Sequence, residues 1–138
     1  MCAFGDTIHL KLGREQTGGS LALGLGVVEP GSGPPPHVHH NEDELFIIAE
    51  GTMSFLVNNQ WVDVGPGGVA FMPRGVPHTF KNRSNAVVKQ WILTTPSGFE
   101  TFFGRCAAVF AEAGADGPDM GRIMQIAAEH GLEFLAPK

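Results

Sequence analysis

The 138-residue sequence holds only two cysteines, Cys2 and Cys106. Two are too few for a disulfide framework, and both read as free thiols of a reducing cytoplasm. No run approaches the ~18 apolar residues that a membrane-spanning helix needs. The N-terminus lacks the charged and apolar regions of a signal peptide, so a cytoplasmic protein without a membrane partner is expected. Lysine and arginine number nine against fourteen acidic residues, a formal net charge of −5. No basic cluster occurs, which argues against nucleic acid as a partner. There is no internal repeat, and the length points to a single domain over residues 1–138. Within it we distinguish N-terminal strands in 1–30, a motif-bearing segment in 31–95 and a C-terminal helical extension in 96–138.

Glycine and proline, by contrast, are abundant at 19 and 10 residues. They fall between apolar runs, as in an all-β protein with frequent turns. Thr7–Leu12 alternates in period two, and Ser20–Val28 reads as a strand whose Gly24 and Gly26 mark a bulge or a close backbone approach. Met53, Phe55 and Val57 alternate before Asn58-Asn59, and Trp61–Val64 follows, a hairpin pattern. Val69–Met72, His78–Phe80 and Ala86–Leu93 complete the expected strands. The period then changes. Ser97 and Glu100 have the spacing of a capping box, and Phe99, Phe102, Phe103, Cys106 and Phe110 recur at helical intervals. A second short helix is expected from Pro118 or Asp119 to Gly131. The phenylalanine stripe has to bury against an open barrel end or a partner subunit.

Three histidines and a glutamate carry the chemistry. His37, His39 and Glu44 lie in one short run after Pro34-Pro35-Pro36, and His78 follows a Gly/Pro-rich turn. Imidazoles with a carboxylate are a ligand set for one divalent transition metal ion: iron, manganese, nickel, cobalt, copper or zinc. His37 and His39, two apart, share a face if the backbone is extended. An adjacent antiparallel strand starting at Glu44 would return the carboxylate beside them. His40, of opposite parity, reads as pointing away. His9, in an alternating strand, and His130, at a helix end where a cation suits the dipole, read as structural. Glu42 and Asp43 read as an ordinary acidic turn.

The framework around these residues is specific. Gly31-x5-His37-x-His39-x4-Glu44-x6-Gly51 is followed, after fifteen residues from Thr52 to Pro66, by Gly67-x5-Pro73-x-Gly75-x2-His78-x3-Asn82. These stretches resemble the two sequence motifs of the cupin superfamily at all ten markers. The resemblance implies a small jelly-roll β-barrel with a C-terminal segment of two short helices, and His37, His39, Glu44 and His78 as metal ligands. Residues 96–103 and 130–134 look like a bacterial group of quercetin-dioxygenase-like cupins. Small cupins also resemble one another in forming homodimers, often by exchanging an N-terminal strand, for which Thr7–Leu12 is the candidate here.

A small-molecule substrate is expected. The leading reading is a dioxygenase-type oxidoreductase acting on an enolic or aromatic compound, with Glu44 also serving as general base. Metal-dependent isomerisation or epimerisation of a sugar or hydroxy acid, and non-catalytic binding, remain open alternatives. Phe46, Ile48 and Phe80 share the parity of Glu44 and His78 in their strands and are expected to line an apolar pocket, with Phe71 and Trp91 beside them.

Overall fold

Period-two alternation along the chain resolves into eleven strands and three helices in a computed structural model that describes residues 1–135. Residues 136–138, the end of the expected C-terminal extension, lie outside the described residues. In chain order the elements are β1 (Cys2–Ala3), β2 (Asp6–Leu12), α1 (Arg14–Thr17), β3 (Ala22–Val28), β4 (His37–His39), β5 (Asp43–Glu50) and β6 (Met53–Val57). There follow β7 (Gln60–Val64), β8 (Val69–Met72), β9 (His78–Lys81), β10 (Val88–Thr95), α2 (Phe99–Ala111), α3 (Met120–Glu129) and β11 (Leu132–Phe134).

The strands form two antiparallel sheets, ordered β1-β2-β3-β10-β5-β8 and β11-β4-β9-β6-β7. The chain crosses between sheets repeatedly, the jelly-roll arrangement, and two helices follow at the C-terminal side. Inward side chains meet across the gap. Phe46 of the first sheet lies 5.1 Å from Phe55 and 5.5 Å from Phe80 of the second, ring centre to ring centre. Burial of such rings against one another is the main favourable term.

Two glycines of β3 are needed for this packing. A Cβ on Gly24 would stand 2.7 Å from Cγ2 of Ile8 on β2, and one on Gly26 would stand 3.2 Å from Cδ1 of Ile92 on β10. The β6–β7 hairpin turns at Asn58 and Asn59, both at positive φ (51° and 63°), the geometry of a type I′ turn.

The starts of β10 and α2 differ from expectation through local hydrogen bonding. β10 starts at Val88 rather than Ala86, because the Asn82 side chain donates to the Ala86 carbonyl at 2.7 Å and holds residues 82–86 as a turn. Helix α2 is capped by Gly98, not Ser97. The Glu100 carboxylate reaches back to the Gly98 N–H, and the Ser97 N–H is taken by the Gly19 carbonyl. At the expected start of α3, Asp119 caps the helix by accepting from the Arg122 N–H. Finally, β11 was not anticipated: three residues after a helix carry too little pattern, yet they pair with β4 from Leu132↔His39 to Phe134↔His37.

Helix α2 buries Phe102, Phe103, Cys106 and Val109 against the barrel core, so the stripe closes a barrel end within its own chain. β2 pairs with β3 of its own chain, Thr7 opposite Val27. No helix among the described residues is long and apolar enough to cross a membrane.

Candidate metal centre

His37 and His39 point inward together from β4, whose extended start follows the triple proline. His78 opens β9 and stands directly opposite His37 in the β4–β9 register. Glu44 arrives differently from expectation. β5 is not a neighbour of β4; it belongs to the other sheet, where Glu44 lies between Thr94 and Met72. The tight turn at residues 40–42 carries the chain across the barrel, and Glu44 meets the histidines from the opposite wall. All four residues are buried, and one ligand atom of each lies within 4.8 Å of the others. Donors held at ~2.1 Å around one ion lie within about 4 Å of one another, so a slight contraction brings these four onto it.

The tautomers are set from outside the cluster. Nδ1 of His37 donates to the Pro35 carbonyl at 2.7 Å, and Nδ1 of His78 to the Val76 carbonyl at 3.1 Å. Nδ1 of His39 donates to Oε1 of Glu42, itself buried, at 2.8 Å. Each ring thereby turns its Nε2 towards the centre, the arrangement by which metal-ligating imidazoles are oriented. Nε2 of His78 faces Oε1 of Glu44 at 3.2 Å, and Nε2 of His39 is buried without a hydrogen-bond partner. Three imidazole nitrogens and a carboxylate converge in a dry interior, where lone pairs left facing one another are repulsive. A proton relieves one contact, whereas a divalent cation serves all four, and this donor set fits such a cation.

The electrostatics agree. Burial, reinforced by His78 and His39, lowers the pKa of His37 to about 3, so this ring is neutral at ordinary pH. Burial also works against a charge on Glu44, but His39 and then the hydrogen bond from His78 outweigh it and take the carboxyl down to about 2. For His39, burial is overcome by Glu44 and by the hydrogen bond to Glu42, and its pKa rises.

Beside the cluster is a small cavity of about 40 Å³, room for about two or three waters and smaller than the roughly 150 Å³ that takes up a benzene ring. Phe46 and Phe80 line it from the two sheets, Phe99, Phe102 and Phe103 from α2, and Phe4 and Phe134 from the terminal segments. Among the described residues its polar lining is His37, Glu44 and Asp6, with no lysine or arginine. Ile48 is buried in the core but does not reach the cavity. Phe71 and Trp91 fall outside it, because they share the outward parity of Leu45 and Ile47, their register partners, and Phe71 is 57% exposed. His40 points out of the site to Glu133 at 3.2 Å, and His9 is exposed.

Three contributors escaped sequence reasoning. Glu42, three residues from His39, had the look of a turn acid. Asp6 has the same inward parity as Ile8, but the strand was expected to start at Thr7. Phe134 depends on β11.

Comparison with solved structures places this architecture among known proteins. A sugar phosphate isomerase of the cupin superfamily from Silicibacter pomeroyi superposes with a TM-score of 0.59 at 24% identity, over 67% of this chain and 60% of its own. A predicted oxalate decarboxylase from Thermotoga maritima gives 0.63 at 23%, over 66% and 80%. The polyketide cyclase RemF from Streptomyces resistomycificus gives 0.59 at 26%, over 66% and 65%. No curated protein matches the chain significantly. The family model for the cupin domain matches residues 24–94, just over half of the sequence, and together with the two-sheet jelly roll this shows that the chain belongs to the cupin family.

Proposed function

We propose that this cupin is a metal-dependent oxidoreductase of dioxygenase type, acting on a small, uncharged enolic or aromatic compound at a mononuclear centre held by His37, His39, Glu44 and His78. One observation carries the reading: the four converging donors reach, through His37 and Glu44, a cavity whose other walls are mostly phenylalanine and which has no cationic side chain. A bound divalent ion would supply Lewis acidity towards an enolic or phenolic oxygen and a template for dioxygen. A dioxygenase places both oxygen atoms in its product, so no separate reductant is needed.

The chain's own residues do the rest. Glu44, ionised and buried, is placed to accept the proton of a substrate hydroxyl at the cluster. The phenylalanine walls exclude water and pack the faces of a flat ring. The cavity is small even for one ring and far too small for a three-ring flavonol, so a compact ligand is favoured and the pocket must widen to admit it. The polyketide named for the 26%-identical cyclase is also a chain of enolisable ketones. A sugar phosphate or a dicarboxylate, by contrast, would find two carboxyl groups and no countercharge in this lining. Both cysteines are free, the state that a reducing compartment maintains.

The test is oxygen uptake by protein loaded separately with iron, manganese, nickel, cobalt, copper or zinc, against a panel of single-ring enols and catechols. Uptake with at least one metal is expected. No uptake with any, together with turnover of a sugar phosphate, would replace this reading by the isomerase one.

A further inference from the structure

Asp6 has no part in the metal centre, and its surroundings are unusual. It lies on β2, 5% exposed, and lines the cavity that His37 and Glu44 share. A backbone hydrogen bond from Thr7 serves the carboxyl, but Oδ1 is buried and unpartnered. Its register partner on β3 is Val28, and the next inward residue along that strand, Gly26, leaves room beside it; a Cβ on Gly26 would approach Oδ1 to 3.4 Å. Gly26 is also the register partner of Gln90 on β10, fully buried, with neither amide atom hydrogen-bonded. A buried polar atom left without a partner is destabilising unless a ligand supplies one. Here such atoms, Oδ1 of Asp6 and the Gln90 amide, cluster round one glycine.

We propose that Asp6 is a specificity-determining residue of the pocket, its carboxyl accepting a hydrogen bond from a hydroxyl on the ligand and disfavouring a ligand that carries a negative charge there. This rests on the enol-binding reading above and narrows it: the ligand has a second oxygen, a neutral hydroxyl, besides the one directed at the histidines. A carboxyl accepts such a bond whether or not it carries a proton, and with Glu44 nearby and no cation in the lining, an anionic substituent is repelled.

Three single-ring hydroxypyranones make the test. Allomaltol, kojic acid and comenic acid present the same chelating enol and ketone, and carry respectively a methyl, a hydroxymethyl and a carboxylate on the ring. Their affinities for the nickel-loaded protein are measured by calorimetry for the unaltered chain, Asp6→Ala and Asp6→Asn, with nickel content and melting temperature as controls. Kojic acid is expected to bind the unaltered protein about tenfold tighter than allomaltol, one hydrogen bond's worth, and comenic acid weakest. Asp6→Ala abolishes the kojic acid preference over allomaltol. Asp6→Asn keeps the preference and relieves the discrimination against comenic acid. Equal affinities for kojic acid and allomaltol, or a preference that survives Asp6→Ala, overturn the assignment while leaving the metal centre standing. Failure of all three chelators to bind overturns the enol-binding reading and this inference with it.

Discussion

Glu42 grips His39: a carboxylate oxygen of one lies 2.8 Å from Nδ1 of the other, both are buried, and only two residues separate them in the chain. The contact sits inside the turn that carries the chain from one sheet to the other. It fixes which nitrogen of His39 faces the cluster and raises that ring's affinity for a cation. Glu42→Gln is therefore expected to weaken metal binding about 10- to 100-fold without unfolding the protein. His37→Ala and His78→Ala are expected to leave less than one ion per chain. Chelator competition reads the first and elemental analysis the second. An unchanged affinity in Glu42→Gln would show that the turn alone orients the ring.

Metal uptake should also depend on pH through His39. His37 is neutral well below ordinary pH, whereas His39, its pKa raised, holds a proton that must leave before Nε2 can bind an ion. Apparent affinity is expected to fall about tenfold per pH unit below the His39 pKa and to level off above it. In Glu42→Gln the break moves to lower pH, because part of what stabilises the protonated ring is gone. Metal titrations monitored by calorimetry across pH 5–9 measure both. A flat profile would mean that His39 is not the proton-bearing ligand.

The alternation of β2 and β3, the hairpin at Asn58-Asn59 and the helical stripe of α2 were legible because each is encoded within one segment. His37, His39, Glu44 and His78 were legible because their glycine and proline framework is local too. The route by which Glu44 reaches the histidines was not. Strand neighbours in a jelly roll are far apart in sequence, and a tight turn looks the same whether it joins strands of one sheet or of two. Asp6 and Phe134 were missed for a related reason: each enters the site through partners on β3 or β4 that no local pattern names. Phe71 and Trp91 show the opposite error, aromatic residues assigned inward on hydrophobicity when parity places them outside.

Gly33 offers a test of how the loop before β4 holds His37. A Cβ there would intrude on the Phe80 carbonyl oxygen and stand 3.0 Å from the Lys81 Cα, both backbone atoms that cannot rotate away. Gly33→Ala is expected to cost about 1–3 kcal/mol and to weaken metal binding, since β4 must move off β9. Gly31→Ala is the control: its φ is +82° but no atom lies within 4 Å, so the cost is backbone strain alone, about 1–2 kcal/mol. Urea denaturation with metal titration separates the two. Equal metal affinity in both variants would contradict the idea that close β4–β9 approach sets the site.

The outer face of the larger sheet is the place to seek a homodimer. Val69 and Phe71 are 60% and 57% exposed on the edge strand β8, beside Ile47 and Leu45 of β5, with Trp91 and Leu93 of β10 continuing the rows. An apolar face of this extent fits a second copy of the chain. Phe71→Lys is expected to shift the mass measured by light scattering from dimer to monomer at micromolar concentration. Its melting temperature at high dilution should be little changed, because the ring contributes little to the core. A monomeric mass for the unaltered protein would discard the proposal.

Asp6 ties the candidate specificity residue to stability. Burial, then the charge of Glu44, raises its pKa from 3.8 to about 7 in the folded chain, against a smaller opposing effect of the Thr7 backbone hydrogen bond. The unfolded chain gives up this proton near pH 4 and the folded one holds it to about pH 7, so between those values the folded state binds more protons. Stability due to this group therefore falls as pH rises from about 4 to about 7 and is constant above. Asp6→Asn removes the dependence. In metal-free protein its stability relative to the unaltered chain is expected to grow through that window and to reach a few kcal/mol at pH 8. Urea denaturation at pH 4, 6 and 8 makes the measurement. A difference that does not vary with pH would show that Asp6 ionises normally, with water or a cation reaching the buried oxygen that the fold leaves unpaired.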